Sequence, residues 1–308
     1  MRKCILVIGG AGFIGSHSVD RLLAEGYSVR VLDNFSTGRW ENLPSEHPRL
    51  EILVGDIAEE ELWEPAFADV DAVLHLAAQV SVQKSIENPV RSCAENIQNF
   101  VIVLELARKR AVRVVYASSA AVYGDPQSLP AREADLASPI SPYGLEKYTN
   151  ELYAALYHKM YGLSHLGLRY FNVYGPRQDP HSPYSGVISR FLEQMRSGRP
   201  LTIRGDGLQE RDFVHVFDVA RANVAALFST SNGVINIGSG EAVSILGLGE
   251  MLLKLHGQGD ISWVPAIPGD IRHSCADISM MRSVLGPPST PLAAGLQQLL
   301  EKFTLAAL

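Results

Sequence analysis

Gly9-Gly10-Ala11-Gly12-Phe13-Ile14-Gly15 joins a short apolar run, Lys3 to Ile8, to a segment of helical periodicity that ends at Gly26. The stretch satisfies G-x-G-x-x-G from Gly10 and G-x-x-G-x-x-G from Gly9. Strand before, helix after and glycines between form the context in which such a turn binds a dinucleotide. Without side chains the turn is tight, and a pyrophosphate can approach backbone N–H groups at the positive end of the helix. A second strand, Ser28 to Leu32, is followed by Asp33. A carboxylate there accepts from the adenosine ribose 2′-OH and repels a 2′-phosphate, which favours NAD over NADP. Arg39, close behind, is the one nearby group that accommodates a phosphate.

Working outward, strands are expected at Leu50 to Val54, Ala72 to Leu76, Val112 to Ala117 and Leu166 to Tyr170. Helical stretches lie between most of them, including Pro89 to Arg110. This alternation predicts a parallel sheet covered on both faces. Ser141-Pro142 opens a helix, with Ser as cap and Pro in the first turn, that runs to Tyr161 and stops at Gly162. After residue 168 the texture changes. Gly175 to Ser185 is proline-rich and reads as a long loop. Short mixed elements follow: a helix near Val187 to Arg196, strands near Leu201 and Phe213, and a helix from Asp218 to Phe228. A strand at Val234 to Ile237 and helices near Ile245 and Pro291 complete the chain. The division expected is 1–168 for the dinucleotide unit and 169–308 for a substrate unit, with parts of the latter packing back on the sheet.

A chain of 308 residues suits two packed domains. Its net charge of −6 argues against a nucleic-acid or membrane-surface role, which needs a basic footprint. Cys4, Cys93 and Cys275 are scattered and not in metal spacing, so reduced thiols are expected. The histidines show no H-E-x-x-H or paired spacing, and no metal is expected. Met1 leads directly into a strand without a cationic and apolar leader, and no apolar run approaches the ~20 residues of a membrane span. These features predict a cytoplasmic protein.

Tyr143 and Lys147 are four residues apart on the predicted 142–161 helix and so share a face. A phenol beside an ammonium is a usable proton acceptor, because a nearby positive charge favours the phenolate. Ser118 and Ser119 end the strand before them. Asp56-Ile57 follows the third strand; Asp56 serves either the adenine side or the start of the next helix.

Further segments appear in a fixed order: His75-Leu76-Ala77-Ala78, Ser118 to Gly124 (SSAAVYG), Leu168-Arg169-Tyr170-Phe171-Asn172, Gly205-Asp206-Gly207 and Arg211-Asp212-Phe213. With the glycine turn, Asp33-Asn34, Asp56-Ile57 and Tyr143-x-x-x-Lys147, the chain resembles the extended short-chain dehydrogenase/reductase family over nearly its whole length. Within that family it resembles the UDP-galactose and UDP-N-acetylglucosamine 4-epimerases. The resemblance implies a Rossmann-type doubly wound parallel sheet with a smaller mixed α/β substrate-binding domain. It implies NAD held by Gly9, Gly12, Phe13, Ile14, Gly15, Asp33, Asn34, Asp56, Ile57, Leu76, Ala77, Ala78, Lys84, Asn96, Ser118, Tyr143, Lys147 and Tyr170. Tyr143 would be base and acid, Lys147 would bind the nicotinamide ribose and lower the Tyr pKa, and Ser119 would be a second hydroxyl or relay at the sugar O4. The nucleotide sugar would meet Ser81, Ser119, Asn172, Val187, Leu201, Arg204, Arg211, Asp270 and Ser274. A homodimer through a four-helix bundle built from 89–110 and 142–161 is expected, as in relatives; burial of those faces within one chain is the alternative.

The serine strand separates the possible reactions. Nucleotide-sugar 4,6-dehydratases follow the active hydroxyl with an Asp-Glu pair that moves protons in water elimination. Decarboxylating relatives need a Glu at the second of those positions. Here they are Ala120 and Ala121, which leaves reversible oxidation at the sugar C4. Ser274 falls at the family's gate position, where a bulky aromatic closes the pocket near the sugar C2 substituent. Serine leaves room for an N-acetyl group, so UDP-GlcNAc and UDP-GalNAc are expected beside UDP-Glc and UDP-Gal. Ile267 replaces an Arg that relatives use on the diphosphate; Arg272 or Arg204 takes over, or the local alignment is shifted, or the nucleotide is held less tightly. Two other readings stay open at this level. One is a net NAD(P)-dependent oxidoreductase acting on a nucleotide sugar or other alcohol. The other is a non-catalytic NAD-sensing regulator, which has no need of the Tyr and Lys that this chain keeps.

Overall fold

The structure, a computed structural model, describes residues 3–126, 128–179, 186–266 and 271–305. Strands β1 (Cys4–Ile8), β2 (Ser28–Asp33), β3 (Leu50–Val54), β4 (Ala72–His75), β5 (Arg113–Ser119) and β6 (His165–Tyr170) form one parallel sheet. Along β1, Ile5 and Val7 enter one buried cluster and Leu6 and Ile8 the other. Successive strand side chains point to opposite faces, so a strand apolar at every position is covered on both sides. Helices α1 (Phe13–Ala24) and α8 (Val216–Phe228) cover one face. Helices α2 (Trp63–Phe67), α5 (Asn99–Arg110) and α6 (Pro142–Tyr161) cover the other.

The sheet order is β10-β6-β5-β4-β1-β2-β3, where β10 is Gly233–Ile237. The direction of winding reverses between β1 and β4. In open sheets of this kind a ligand binds at that point, outside the carboxyl ends of the strands. The chain beyond residue 168 returns to this sheet. Strand β10 pairs in parallel with β6, from Gly233 opposite Leu166 to Ile237 opposite Tyr170. Helix α8 packs on α1, where Asn223 Nδ2 donates to Ser18 Oγ at 3.0 Å.

The remaining elements build a third core around Tyr174, Phe191, Leu201, Ile203, Phe213 and Leu248. They are β7 (Asn172–Tyr174), α7 (Val187–Arg196), β8 (Leu201–Arg204), β9 (Glu210–His215), β11 (Ala242–Ser244), α9 (Ile245–His256), β12 (Ile261–Val264) and α11 (Leu292–Leu305). Helix α10 (Ser279–Val284) instead packs against β10, with Met281 in the cluster that holds Ile5 and Val7. Strand β9 lies between β7 and antiparallel β11, and β12 pairs with β8.

One expected helix is not continuous. Residues 89–110 divide into α4 (Pro89–Cys93), a π turn (Ala94–Gln98) and α5. A short helix α3 (Val82–Glu87) precedes them. Single π turns inside helices concentrate at functional sites. The fifth strand also runs two residues past the expected Ala117, to Ser119.

Candidate active site

The glycine turn closes directly on β4. Gly9 has φ +84, and a Cβ there would lie 2.6 Å from the Ala77 N. A Cβ on Gly15 would lie 2.0 Å from the Gly9 carbonyl oxygen. These two glycines are therefore required by the protein's own packing. Gly12 is different: its backbone is extended at φ −71, and an added Cβ would meet nothing closer than 3.4 Å. The space beside Gly12 opens on the first turn of α1, which has no side-chain cap and no acidic residue. Phe13 and Ile14 begin this turn. A phosphate fits there, because the turn leaves N–H groups for it and brings no negative charge of its own.

Asp33 ends β2 almost fully buried. Its Oδ2 accepts from the Ala11 N at 2.8 Å and its Oδ1 from the Phe35 N at 2.8 Å. Burial raises its pKa, and these two amides oppose the rise. Each oxygen keeps acceptor capacity for a hydroxyl. Arg39 is paired with Asp179 at 3.3 Å rather than standing free beside Asp33. Asn34 Nδ2 donates to Asp56 Oδ2 at 2.7 Å. Asp56 Oδ1 accepts from the Ala58 N at 2.9 Å, so Asp56 makes a local turn; Glu59 stands before the next helical turn, and its Oε1 accepts from the Asp56 N at 2.9 Å. Ile57 is buried. The N–H groups of Leu76 and Ala77 donate to the Ile8 carbonyl at 2.8 and 3.0 Å, which sets Leu76 to Ala78 beside the glycine turn.

Four residues expected at ligands have side-chain polar atoms bonded within the protein. Ser118 is buried and donates to Glu151 Oε1 at 2.5 Å. The Tyr170 hydroxyl donates to Asn223 Oδ1 at 2.7 Å, on the α1 and α8 side of the sheet. Ser81 Oγ caps α3 by accepting from the Lys84 N at 3.0 Å, while the Lys84 side chain stands at the surface. Asn96, on the π turn, uses its amide on Gln79 and Glu146.

The catalytic candidates meet where β5 ends over α6. Ser141 caps α6 by accepting from the Gly144 N at 3.1 Å, and Pro142 occupies its first turn. The Tyr143 N donates to Ser85 Oγ at 3.1 Å. One turn on, Lys147 Nζ donates to the Ala117 carbonyl at 3.1 Å and lies 5.8 Å from the centre of the Tyr143 ring. Ser119 Oγ accepts from the Ala121 N at 3.1 Å and is hydrogen-bonded to the Tyr143 hydroxyl.

The charge balance differs from the sequence expectation. Burial pushes the Tyr143 pKa up to about 12, against the Ser119 hydrogen bond, and Glu146 adds to the rise. Lys147 sits over the ring and does not reverse this. Burial pushes Lys147 itself down to about 8, with Glu146 opposing. Burial and then Lys147 hold His75 at about 3, so it is neutral. The protein alone therefore keeps Tyr143 protonated; added positive charge or removed negative charge at the site lowers its pKa.

A cavity of about 200 Å³ gathers Ser119, Tyr143, Tyr170, Asn172, Arg211 and Ser274, together with Ala120 and Ala121. The expected gate residue thus shares one space with the expected proton route. Arg211 lies beside it with its Nη1 donating to the Glu210 carbonyl at 2.8 Å. Val187 opens α7 and Arg204 ends β8 at the surface; neither lines the cavity. Leu201 is fully buried in the third core and presents no side chain to a ligand. Arg272 is held by a two-pronged pair to Asp206 at 2.7 and 2.8 Å. Asp270 and Ile267 lie outside the described residues.

Several buried polar residues escape a motif reading, Ser85, Glu146, Asn150 and Glu151, and Arg169 lies in a quoted segment without an assigned role. The signal for three of them is helical spacing. Tyr143, Lys147 and Glu151 fall at i, i+4, i+8, and Glu146 with Asn150 at i, i+4, so polar side chains occupy the inward face of α6. Cys275 also reaches the cavity, with burial raising its thiol pKa to about 11.

The chain is similar to known proteins over nearly its whole length. A putative UDP-glucose 4-epimerase from Methanocaldococcus jannaschii is 42% identical over 298 residues, 96% of each protein. A UDP-N-acetylglucosamine 4-epimerase from Methanobrevibacter ruminantium, solved in complex with UDP-N-acetylmuramic acid, superposes with a TM-score of 0.95 at 37% identity, covering 100% of this chain and 99% of that one. A UDP-glucose 4-epimerase from Thermotoga maritima, solved with UDP-glucose, gives 0.94 at 39% identity over 99% of this chain and 100% of that one. Residues 5–238 match the model of the NAD dependent epimerase/dehydratase family, and the chain belongs to that family.

Proposed function

We propose that this protein is a UDP-sugar 4-epimerase with resident NAD, acting on UDP-GlcNAc and UDP-GalNAc and also on UDP-Glc and UDP-Gal. The observation that carries the reading is one cavity containing Ser119, Tyr143 and Ser274, with alanines at 120 and 121. When bound, NAD supplies a reversible hydride acceptor for the sugar C4, through a 4-keto sugar. Gly12 and the first turn of α1 hold its phosphates, and Asp33 holds the adenosine ribose. Tyr143 takes the proton of the 4-OH, directly or through Ser119, and returns it. Lys147, fixed by the Ala117 carbonyl, binds the nicotinamide ribose. Asn172 and Arg211 anchor the diphosphate, where a guanidinium fork suits the oxygens. With no carboxylate at 120 or 121, elimination and decarboxylation have no acid or base there. The relatives solved with UDP-N-acetylmuramic acid and with UDP-glucose support a UDP-sugar as the substrate class.

The exposed apolar face of α6, with Leu145, Leu152, Leu156 and Met160, supports a homodimer through a four-helix bundle. No helix among the described residues is long and apolar enough to cross a membrane.

The test is a panel of the four UDP-sugars on the wild type and on Ser274→Tyr. The phenol fills the space for the C2 substituent. Conversion of the N-acetylated pair is expected to fall by about 10–200-fold, the worth of ~1–3 kcal/mol in a pocket. The unsubstituted pair should change by much less. Equal losses on both pairs would remove Ser274 from sugar selection. Failure of the wild type on all four sugars would remove the proposed function.

A further inference from the structure

Glu146 is 4% exposed, and the residue after it, Lys147, is 3% exposed. Its Oε2 accepts from Asn96 Nδ2 at 2.6 Å and from Ser92 Oγ at 2.9 Å. Both donors are neutral, so they fix the carboxylate without cancelling its charge. The same Asn96 amide reaches the loop after β4: its Nδ2 donates to the Gln79 carbonyl at 2.9 Å, and its Oδ1 accepts from the Gln79 N at 2.8 Å. The π turn also presents the Asn96 carbonyl to Asn150 Nδ2 at 3.0 Å. A buried carboxylate is thus clamped between α4, the π turn and α6, on the residue that adjoins Lys147.

We propose that Glu146 is a positioning residue for the proton-transfer pair: its fixed negative charge keeps Lys147 cationic inside the protein and joins the helix carrying that pair to the 77–81 loop. The inference rests on the reading of Tyr143 and Lys147 as that pair. Burial of an ammonium favours loss of its proton, and a carboxylate nearby opposes the loss. The other groups facing Lys147 do not supply that charge. His75, at the end of β4, is neutral. Glu151, four residues on, is paired with Arg169 of β6 at 2.7 Å. Strand β5 offers the Ala117 carbonyl and the Ser118 and Ser119 hydroxyls. Tyr143 has the opposite interest, since negative charge beside a phenol opposes its ionisation. Removing the Glu146 charge therefore makes both groups lose their protons at lower pH.

The experiment is a lysine-selective 13C NMR titration of the cofactor-free protein, in the wild type, in Glu146→Gln and in Glu146→Met. Glutamine keeps an acceptor for Ser92 and Asn96; methionine matches the length and needs no partner, so one variant covers a folding failure of the other. Lys147 should titrate near 8 in the wild type. It should titrate lower by roughly one pH unit in either variant, the size of one lost charge interaction at partly screened range. The pH profile of kcat should move acidward on both limbs by a similar amount. An unmoved Lys147 titration, or a kcat loss with an unmoved profile, overturns the proposal and leaves Glu146 a packing residue. If the wild type interconverts none of the four UDP-sugars while Lys147 still shifts, the charge coupling stands and the assigned reaction falls.

Discussion

Tyr143→Phe is expected to lower kcat for sugar interconversion by about 10²–10⁴-fold, the worth of one positioned acid–base group. Bound nicotinamide per chain should stay unchanged. The substitution removes one oxygen and leaves the ring in place over Lys147 Nζ. Its backbone N–H still reaches Ser85 Oγ, so the start of α6 is not disturbed. Of the proposed cofactor contacts, the glycine turn and Asp33 are on other elements, and Lys147 keeps its bond to the Ala117 carbonyl. What is lost is the hydroxyl that interacts with Ser119 in the proposed proton route. The KM for the UDP-sugar should change little, since Asn172 and Arg211 are untouched. Turnover within tenfold of the wild type would place the proton route elsewhere.

The second large effect is on stability. Arg169→Met is expected to destabilise the protein by about 3–5 kcal/mol, the cost of leaving one member of a buried ion pair without its partner. Arg169 and Glu151 meet twice, Nη2 to Oε2 at 2.7 Å and Nε to Oε1 at 2.9 Å, with both side chains almost fully buried. The network continues outward. Arg169 Nη1 donates to the Tyr123 hydroxyl at 2.8 Å, which donates to Asn236 Oδ1 at 2.6 Å; Asn236 Nδ2 donates to the Ala131 carbonyl at 2.9 Å. It thus ties α6, β6 and β10 to the 131 segment behind the cavity. Methionine fills part of the volume but leaves the Glu151 carboxylate with Ser118 alone. Urea midpoints would measure the loss. Replacing Glu151 with Leu in the same chain should restore most of it, because the uncompensated charge is then gone. A loss under 1 kcal/mol for Arg169→Met would contradict the buried pair.

The parts of this molecule legible in its sequence are those with a local signal. A glycine turn between an apolar run and a periodic segment predicts a strand, a phosphate turn and a helix, and β1, α1 and Asp33 follow that pattern. Ser141-Pro142 and Gly162 bound α6 because caps are local chemistry. Facing direction is less accessible. Ser118 and Ser119 are neighbours on a strand and so point to opposite faces. One joins the Glu151 network and the other lines the cavity at the strand end, and both partners, Glu151 and Tyr143, come from α6, far along the chain. The return of β10 to the first sheet depends on a pairing with β6 more than 60 residues away in the chain. At the π turn the Asn96 carbonyl accepts from Asn150 Nδ2, a contact between residues more than 50 apart in the chain that has no local signal. The Tyr143 pKa depends on competing magnitudes: a cation four residues away suggests a lowered value, but the value is raised, with burial the largest cause.

The most direct measurement is the fate of the hydrogen at the sugar C4. Protein as purified, with no added nicotinamide, is incubated with UDP-GlcNAc carrying deuterium at C4, and the UDP-GalNAc formed is analysed by mass. Retention of the deuterium in the product is the predicted result, because the same hydride leaves and returns without meeting solvent. Product that has exchanged the label for solvent hydrogen, or that forms only when NAD is supplied as a stoichiometric reactant, would contradict it.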